Sequence, residues 1–70
     1  MDKFSLPDDQ EYIRLDSLLK RMGAFTTGGQ AKLAIQNGQV TVNGEICTMR
    51  GKKLRRGDRT TYNGETFEVY

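Results

Sequence analysis

Histidine is absent from this chain of 70 residues, and cysteine and proline occur once each, as Cys47 and Pro7. A single thiol excludes an internal disulfide, and without histidine it also excludes a Cys/His zinc site. The same gaps exclude Ser-His-Asp and Cys-His catalysis within the chain alone. Long apolar runs are missing too. The longest uncharged stretch, Leu33 to Gly44, is polar and contains glycine, so it is not fitted to span a bilayer. The opening segment, Met1 to Asp9, is acidic and has no apolar core, which is unlike a signal peptide. Asp8, Asp9, Glu11 and Asp16 lack the ligand pattern of a calcium loop. Together these absences predict a cytoplasmic binding module rather than an enzyme, with no metal, no cofactor and no membrane partner.

What is present suffices for one thin core. Apolar residues make up 36% of the chain and charged residues 29%, unlike a disordered tail. A core of this size rarely supplies more than roughly 3–5 kcal/mol without a covalent or metal staple. One domain over residues 1–70 is expected.

The net charge of +2 conceals a strong asymmetry. Residues 1–19 carry two basic and five acidic side chains. Residues 20–59 carry nine basic ones (Lys20, Arg21, Lys32, Arg50, Lys52, Lys53, Arg55, Arg56, Arg59) against only Glu45 and Asp58. Residues 60–70 add Glu65 and Glu68. If folding gathers the central charges on one face, that face is an electrostatic footprint for phosphate backbones. The competing reading is a merely solvated surface.

Hydrophobic periodicity then places the elements. Phe4-Ser5-Leu6 reads as a short edge strand closed by Pro7, and Tyr12-Ile13 as a second extended piece. Leu15, Leu18, Leu19 and Met22 recur at i, i+3, i+4 and i+7, the stripe of an amphipathic helix. Asp16 suits the start of that helix, Lys20 and Arg21 its last turn, and Gly23 its stop. A second helix is expected over Gly28 to Asn37, with Thr27 and Gln30 as a capping box and Asn37-Gly38 as the stop. Its narrow face of Ala31, Ala34 and Ile35 predicts close packing on the first helix. Beyond Gly38 the period changes to that of strands. Asn43-Gly44 joins Val40-Thr41-Val42 to Glu45-Ile46-Cys47 as a type I′ hairpin, and Asn63-Gly64 joins residues 59–62 to 65–70 as another. Two helices followed by a small antiparallel sheet of hairpins define an α+β fold.

Two constellations could carry chemistry. Arg50 to Arg59 holds six basic residues in ten positions, with Leu54 as the one large apolar residue and the expected anchor. Thr27-Gly28-Gly29 at a helix start would expose backbone N–H groups to an anion; equally, Gly28 would serve a turn with unusual dihedrals. Among the aromatics, Phe4, Phe25 and Phe67 are assigned to the core. Tyr12 and Tyr62 can be exposed, but they are not spaced as a stacking platform. Cys47 reads as a small strand hydrophobe.

A longer pattern now becomes visible. Arg14-Leu15-Asp16, Leu18-Leu19, Lys20-Arg21-Met22-Gly23, Thr27, Ala31-Lys32, Ile35, Gly38-Gln39-Val40, Val42-Asn43-Gly44 and Arg56-Gly57-Asp58 follow one another in series. The series resembles the RNA-binding domain of ribosomal small-subunit protein S-four, the alpha-L motif, over residues 14–58. The preceding strand and the closing hairpin at 59–70 resemble its small stand-alone bacterial members, the YbcJ and YaaA types. The resemblance implies a helix pair shaped like an L whose second helix and adjoining hairpin face RNA. Carried over by position, the implied contacts are Arg21, Thr27, Gln30, Lys32 and Asn43, with Arg50, Lys52 and Lys53 extending the patch. The family often has an arginine directly after the residue matching Thr27; here that position is Gly28.

The implied function is non-enzymatic binding of structured RNA, ribosomal or transfer RNA, by a monomer associated with the ribosome or its precursor. RNA helices are recognised by shape, phosphates and 2′-hydroxyls, for which a basic corner suffices. The second helix has too few base-reading side chains to probe a DNA major groove. The alternative is a protein-interaction adaptor whose basic loop meets an acidic partner. A ubiquitin-like sulfur carrier is disfavoured, because the chain ends Glu68-Val69-Tyr70 rather than Gly-Gly.

Overall fold

The computed structural model describes residues 2–70. In chain order the elements are β1 (Asp2–Phe4), β2 (Ile13–Arg14), α1 (Leu15–Arg21), α2 (Gly28–Gln36), β3 (Val40–Val42), β4 (Glu45–Ile46), β5 (Lys53–Leu54), β6 (Arg59–Tyr62) and β7 (Glu65–Val69). The α+β reading is correct. Two packed helices stand beside a five-stranded sheet of order β1-β7-β6-β3-β4, and β2 with β5 forms a separate two-stranded ladder.

The helical stripe does what its spacing implies. Leu15, Leu18 and Leu19 are completely buried, and Met22 packs on the same cluster. From α2, Ala31, Ala34 and Ile35 turn inward, and the two alanines let the helices approach closely. Both helices end in a Schellman motif. Gly23 N–H donates to the Lys20 carbonyl and Ala24 N–H to the Leu19 carbonyl; Gly38 and Gln39 repeat the pattern on Ile35 and Ala34. Among the described residues, no helix is long and apolar enough to cross a membrane.

The sheet supplies the other half of the core. Val40, Phe67 and Val69 are completely buried, and Val42 nearly so. Thr60, the buried polar residue among them, donates from Oγ1 to the Thr41 carbonyl at 2.8 Å, so its hydroxyl is satisfied. In both hairpin turns the two central residues lie at positive φ, 51° and 86° at Asn43-Gly44 and 53° and 79° at Asn63-Gly64, the hand of the I′ turn.

Three details depart from expectation. The N-terminal strand lies at 2–4 rather than 4–6, and it runs parallel to β7, with Asp2 opposite Phe67 and Phe4 opposite Val69. No tight turn joins these two ends of the chain, so nothing imposes the antiparallel sense. Leu6 still belongs to the ladder's continuation, donating to the Tyr70 carbonyl at 2.8 Å, and it is buried. Second, the capping box is displaced by one residue. Gln30 N–H donates to Thr27 Oγ1 at 3.2 Å as expected, but Gln30 Oε1 accepts from Thr26 N–H and Thr26 Oγ1, at 3.1 and 2.9 Å. Third, Phe67 is completely buried, whereas Phe4 and Phe25 only lean on the core, and Phe25 packs against half-buried Tyr62 with ring centroids 4.6 Å apart and the planes tilted by 42°.

Candidate nucleic-acid interface

The basic segment after Met49 is fastened to the fold by its backbone. α1 begins at Arg14 without any side-chain cap. Instead, Leu15 N–H donates to the Lys52 carbonyl at 2.9 Å and Asp16 N–H to the Arg50 carbonyl at 3.1 Å. Loop carbonyls thus satisfy two amides that the helix start leaves without partners. One residue further on, β5 pairs with β2, setting Lys53 beside Arg14 and Leu54 beside Ile13. Leu54 is completely buried, the anchor its lone apolar character suggests. Burying such a side chain contributes about 1.5–3 kcal/mol. With main chain and Leu54 directed inward, the side chains of Arg50, Lys52 and Lys53 are left exposed.

Polar residues lock the far end of this segment. Asp58 Oδ2 accepts from Arg55 N–H at 2.7 Å, and its Oδ1 accepts from Asn43 Nδ2 at 3.1 Å. Asn43 Oδ1 in turn accepts from Arg59 N–H at 2.9 Å. The hairpin turn and the basic segment are therefore one bonded unit.

Ion pairing divides the cations into two groups. Arg14 meets Asp16 at 3.1 Å, Arg56 meets Asp8 at 3.8 Å and Arg59 meets Glu68 at 3.9 Å. Arg56 also donates to the carbonyls of Leu6 and Pro7, at 2.8 and 3.2 Å, and so ties down the N-terminal segment. Among the described residues, Lys3, Lys20, Arg21, Lys32, Arg50, Lys52, Lys53 and Arg55 have no carboxylate partner. Five of these, Arg21, Lys32, Arg50, Lys52 and Lys53, are the basic residues that the resemblance singles out.

The structure gathers some of these candidates and separates others. Arg50, Lys52 and Lys53 surround the start of α1, and Lys52 shares a shallow hollow with Asn43, Ile46 and Met49. Lys32 stands exposed on α2. Arg21 lies apart from the loop cluster, its guanidinium 5.9 Å from the Phe4 ring centroid. Thr27, Gln30 and Asn43 are exposed, but their side chains are engaged in the local bonds described above. Gly28 and Gly29 sit in the first turn of α2 without positive φ, and a Cβ at Gly28 would meet nothing within 4 Å. The unusual-dihedral explanation for Gly28 is thereby removed.

The contacts that the resemblance implies do not include Tyr12, Arg14 and Lys20. These line a groove between residues 9–12 and the outer face of α1, together with Arg21. Lys20 was explicable as helix-end electrostatics, and Tyr12 has no aromatic neighbour in sequence. The available signal was the spacing of Arg14, Ser17 and Arg21, which repeats at i, i+3 and i+7 opposite the leucine stripe.

A helix pair with a hairpin and a basic segment bonded across it is the architecture of the alpha-L type of nucleic-acid-binding module. The S4 domain family matches residues 5–70. YbcJ of Escherichia coli (strain K12) is 36% identical over 69 residues, covering 99% of this chain and 97% of its own. The solution structure of YbcJ from E. coli, described as revealing an alpha-L motif involved in RNA binding, superposes with a TM-score of 0.72 over 99% of this chain and 86% of that one. Small ribosomal subunit protein uS4 of Solibacter usitatus (strain Ellin6076) is 38% identical over 48 residues, 69% of this chain but 23% of that longer protein. The chain belongs to the S4 domain family.

Proposed function

We propose that this protein binds structured RNA, ribosomal or transfer RNA, through phosphate contacts made by Arg50, Lys52 and Lys53 around the start of α1, with Lys32 on α2 and Arg21 extending the surface. The observation that carries this reading is the fastening of Arg50, Lys52 and Lys53: their backbone is bonded to the start of α1 and to β2, while their side chains stand exposed and without carboxylate partners among the described residues. A duplex presents phosphates at fixed spacing, and cations on a bonded frame meet them with less ordering entropy than cations on a loose loop. The description of YbcJ's motif as RNA-binding supports the same conclusion. Thr27, Gln30 and Asn43 act on this reading mainly by shaping the surface, because their side-chain atoms already hold the cap and the turn. The domain, residues 1–70, acts as a cytoplasmic monomer on the ribosome or its precursor, with no catalysis and no cofactor.

The test is a salt titration of binding to a structured ribosomal or transfer RNA fragment. A Lys32→Ala, Lys52→Ala, Lys53→Ala triple is expected to keep its fold and lower the slope of log K against log salt by about two to three units. Lys3→Ala, in the acidic N-terminal segment, should lose little. A triple variant with the parent's affinity and slope would remove these lysines from the interface. An acidic protein partner in place of RNA predicts no RNA slope at all.

A further inference from the structure

The groove along the outer face of α1 has a volume of about 740 Å³, within the range of roughly 300–1,000 Å³ typical of sites for small groups. Its walls carry opposite charge. Arg14, Lys20 and Arg21 stand on the helix side, and Asp9 and Glu11 on the side of the preceding loop. Across the groove, none of these carboxylates and cations is paired among the described residues; Arg14, at the end of β2, is bound instead to Asp16 in the first turn of α1. Tyr12 lies in the loop wall, 38% exposed, with Lys53 Nζ 4.9 Å from its ring centroid. That contact covers one face of the Tyr12 ring and joins the groove to the basic segment.

We propose that this groove receives one unpaired nucleotide of the bound RNA, with its base stacked on Tyr12 and its phosphate toward Lys20 and Arg21. This inference rests on the RNA-binding reading above and assigns it a subsite. The charge arrangement sets the orientation. A phosphate is repelled by Asp9 and Glu11 and attracted by the helix side, which leaves the base against the loop wall. There the two carboxylates accept hydrogen bonds from the base edge and offer none. Guanine presents an N1–H and an N2 amino group in a row to such acceptors. Uracil presents a single N3–H flanked by two carbonyl oxygens, which the carboxylates repel. A base in this position is therefore selected for guanine over uracil, and unpaired bases are where proteins read RNA sequence. Base–aromatic stacking on Tyr12 supplies the sequence-tolerant part of the affinity.

The experiment compares four RNA hairpins in fluorescence anisotropy: fully paired, and with a single bulged guanosine, adenosine or uridine. The expected order places the guanosine bulge about tenfold tighter than the paired hairpin, and the uridine bulge close to it. Tyr12→Leu should bring the guanosine bulge down to the level of the paired hairpin and leave the paired affinity and its salt slope unchanged. Tyr12→Phe should retain the bulge preference, which separates stacking from a merely structural role. An Asp9→Asn, Glu11→Gln double variant should narrow the gap between guanosine and uridine. Equal binding of all four hairpins by the parent protein, with a normal salt slope, overturns the subsite and leaves the RNA-binding reading intact. Absence of salt-dependent binding to every hairpin overturns both.

Discussion

At the start of α1 the first two amides donate to the carbonyls of Arg50 and Lys52, and Asp16 stands in the first turn. At the start of α2 the side chain of Thr27 accepts from Gln30 N–H, two glycines follow, and the first turn holds no acidic residue. The positive end of each helix dipole is thus handled differently. Around α1 it is closed by two main-chain oxygens and by the Asp16 carboxylate, whose Oδ1 accepts from Ser17 N–H at 2.8 Å, and full side-chain cations are arrayed outside that seal. On α2 the bare backbone itself faces outward where no cation stands. The same chain presents positive potential in two forms, as movable side chains on a locked frame and as fixed amides on a helix end. The contrast shows that the basic segment owes its position to hydrogen bonds made by its backbone, which leaves its side chains available.

The comparison breaks most severely if the α1 seal is opened from below. Leu54 is completely buried and is the apolar tie between the basic segment and the core. Leu54→Ala is expected to lose about 2–5 kcal/mol in chemical denaturation, a large part of the stability of so small a core. RNA affinity should fall with it, since Lys52 and Lys53 lose their frame. Stability within about 0.5 kcal/mol of the parent would show that the backbone bonds at Arg50 and Lys52 hold the segment unaided.

The next effect concerns the other end of the same frame. Gly44 lies at φ 86°, and a β-branched residue there must adopt a left-handed conformation. Gly44→Val should destabilise by about 1–2 kcal/mol. Because Asn43 links the turn to Asp58, the variant should also loosen residues 55–58, readable as faster amide exchange at Arg55 and Arg59. Unchanged exchange at those amides would mean that the turn and the basic segment are independent.

Much of this was legible in the sequence for a local reason. The leucine stripe, the Gly23 and Gly38 stops and the two Asn-Gly turns each depend on neighbours within a few positions, and each was found where its pattern placed it. What could not be read was long-range. The parallel pairing of β1 with β7, the ladder between Ile13-Arg14 and Lys53-Leu54, and the seal on α1 join residues from opposite parts of the chain. The same limit governs the interface. Basic residues could be counted, but sorting Arg56 and Arg59, which meet carboxylates, from Lys52 and Lys53, which do not, requires the folded arrangement. The spacing of Tyr12 forms no stacking platform with another aromatic, and its neighbour in the fold is Lys53, forty-one positions away.

Smaller effects test the open start of α2. Thr27→Ala removes the oxygen that accepts from Gln30 N–H and should lower stability by about 1 kcal/mol. A denaturation midpoint equal to the parent's would show that the two bonds donated by Thr26 to Gln30 Oε1 fix the helix start without the Thr27 cap.

Gly28 offers the finest probe, because it can convert one helix start into the likeness of the other. A side chain there meets nothing within 4 Å of its Cβ, and the backbone needs no positive φ. Gly28→Ala should therefore raise stability by up to about 1 kcal/mol, through helix propensity and a less flexible unfolded chain. Gly28→Arg shares that gain and adds a cation at the position where the family often carries one. If the α2 start faces phosphate, Gly28→Arg should steepen the salt slope of RNA binding by about one unit relative to Gly28→Ala, which has the same backbone effect and no charge. Equal slopes for the two variants would place the first turn of α2 outside the RNA contact, and leave the basic segment on α1 as its main anchor.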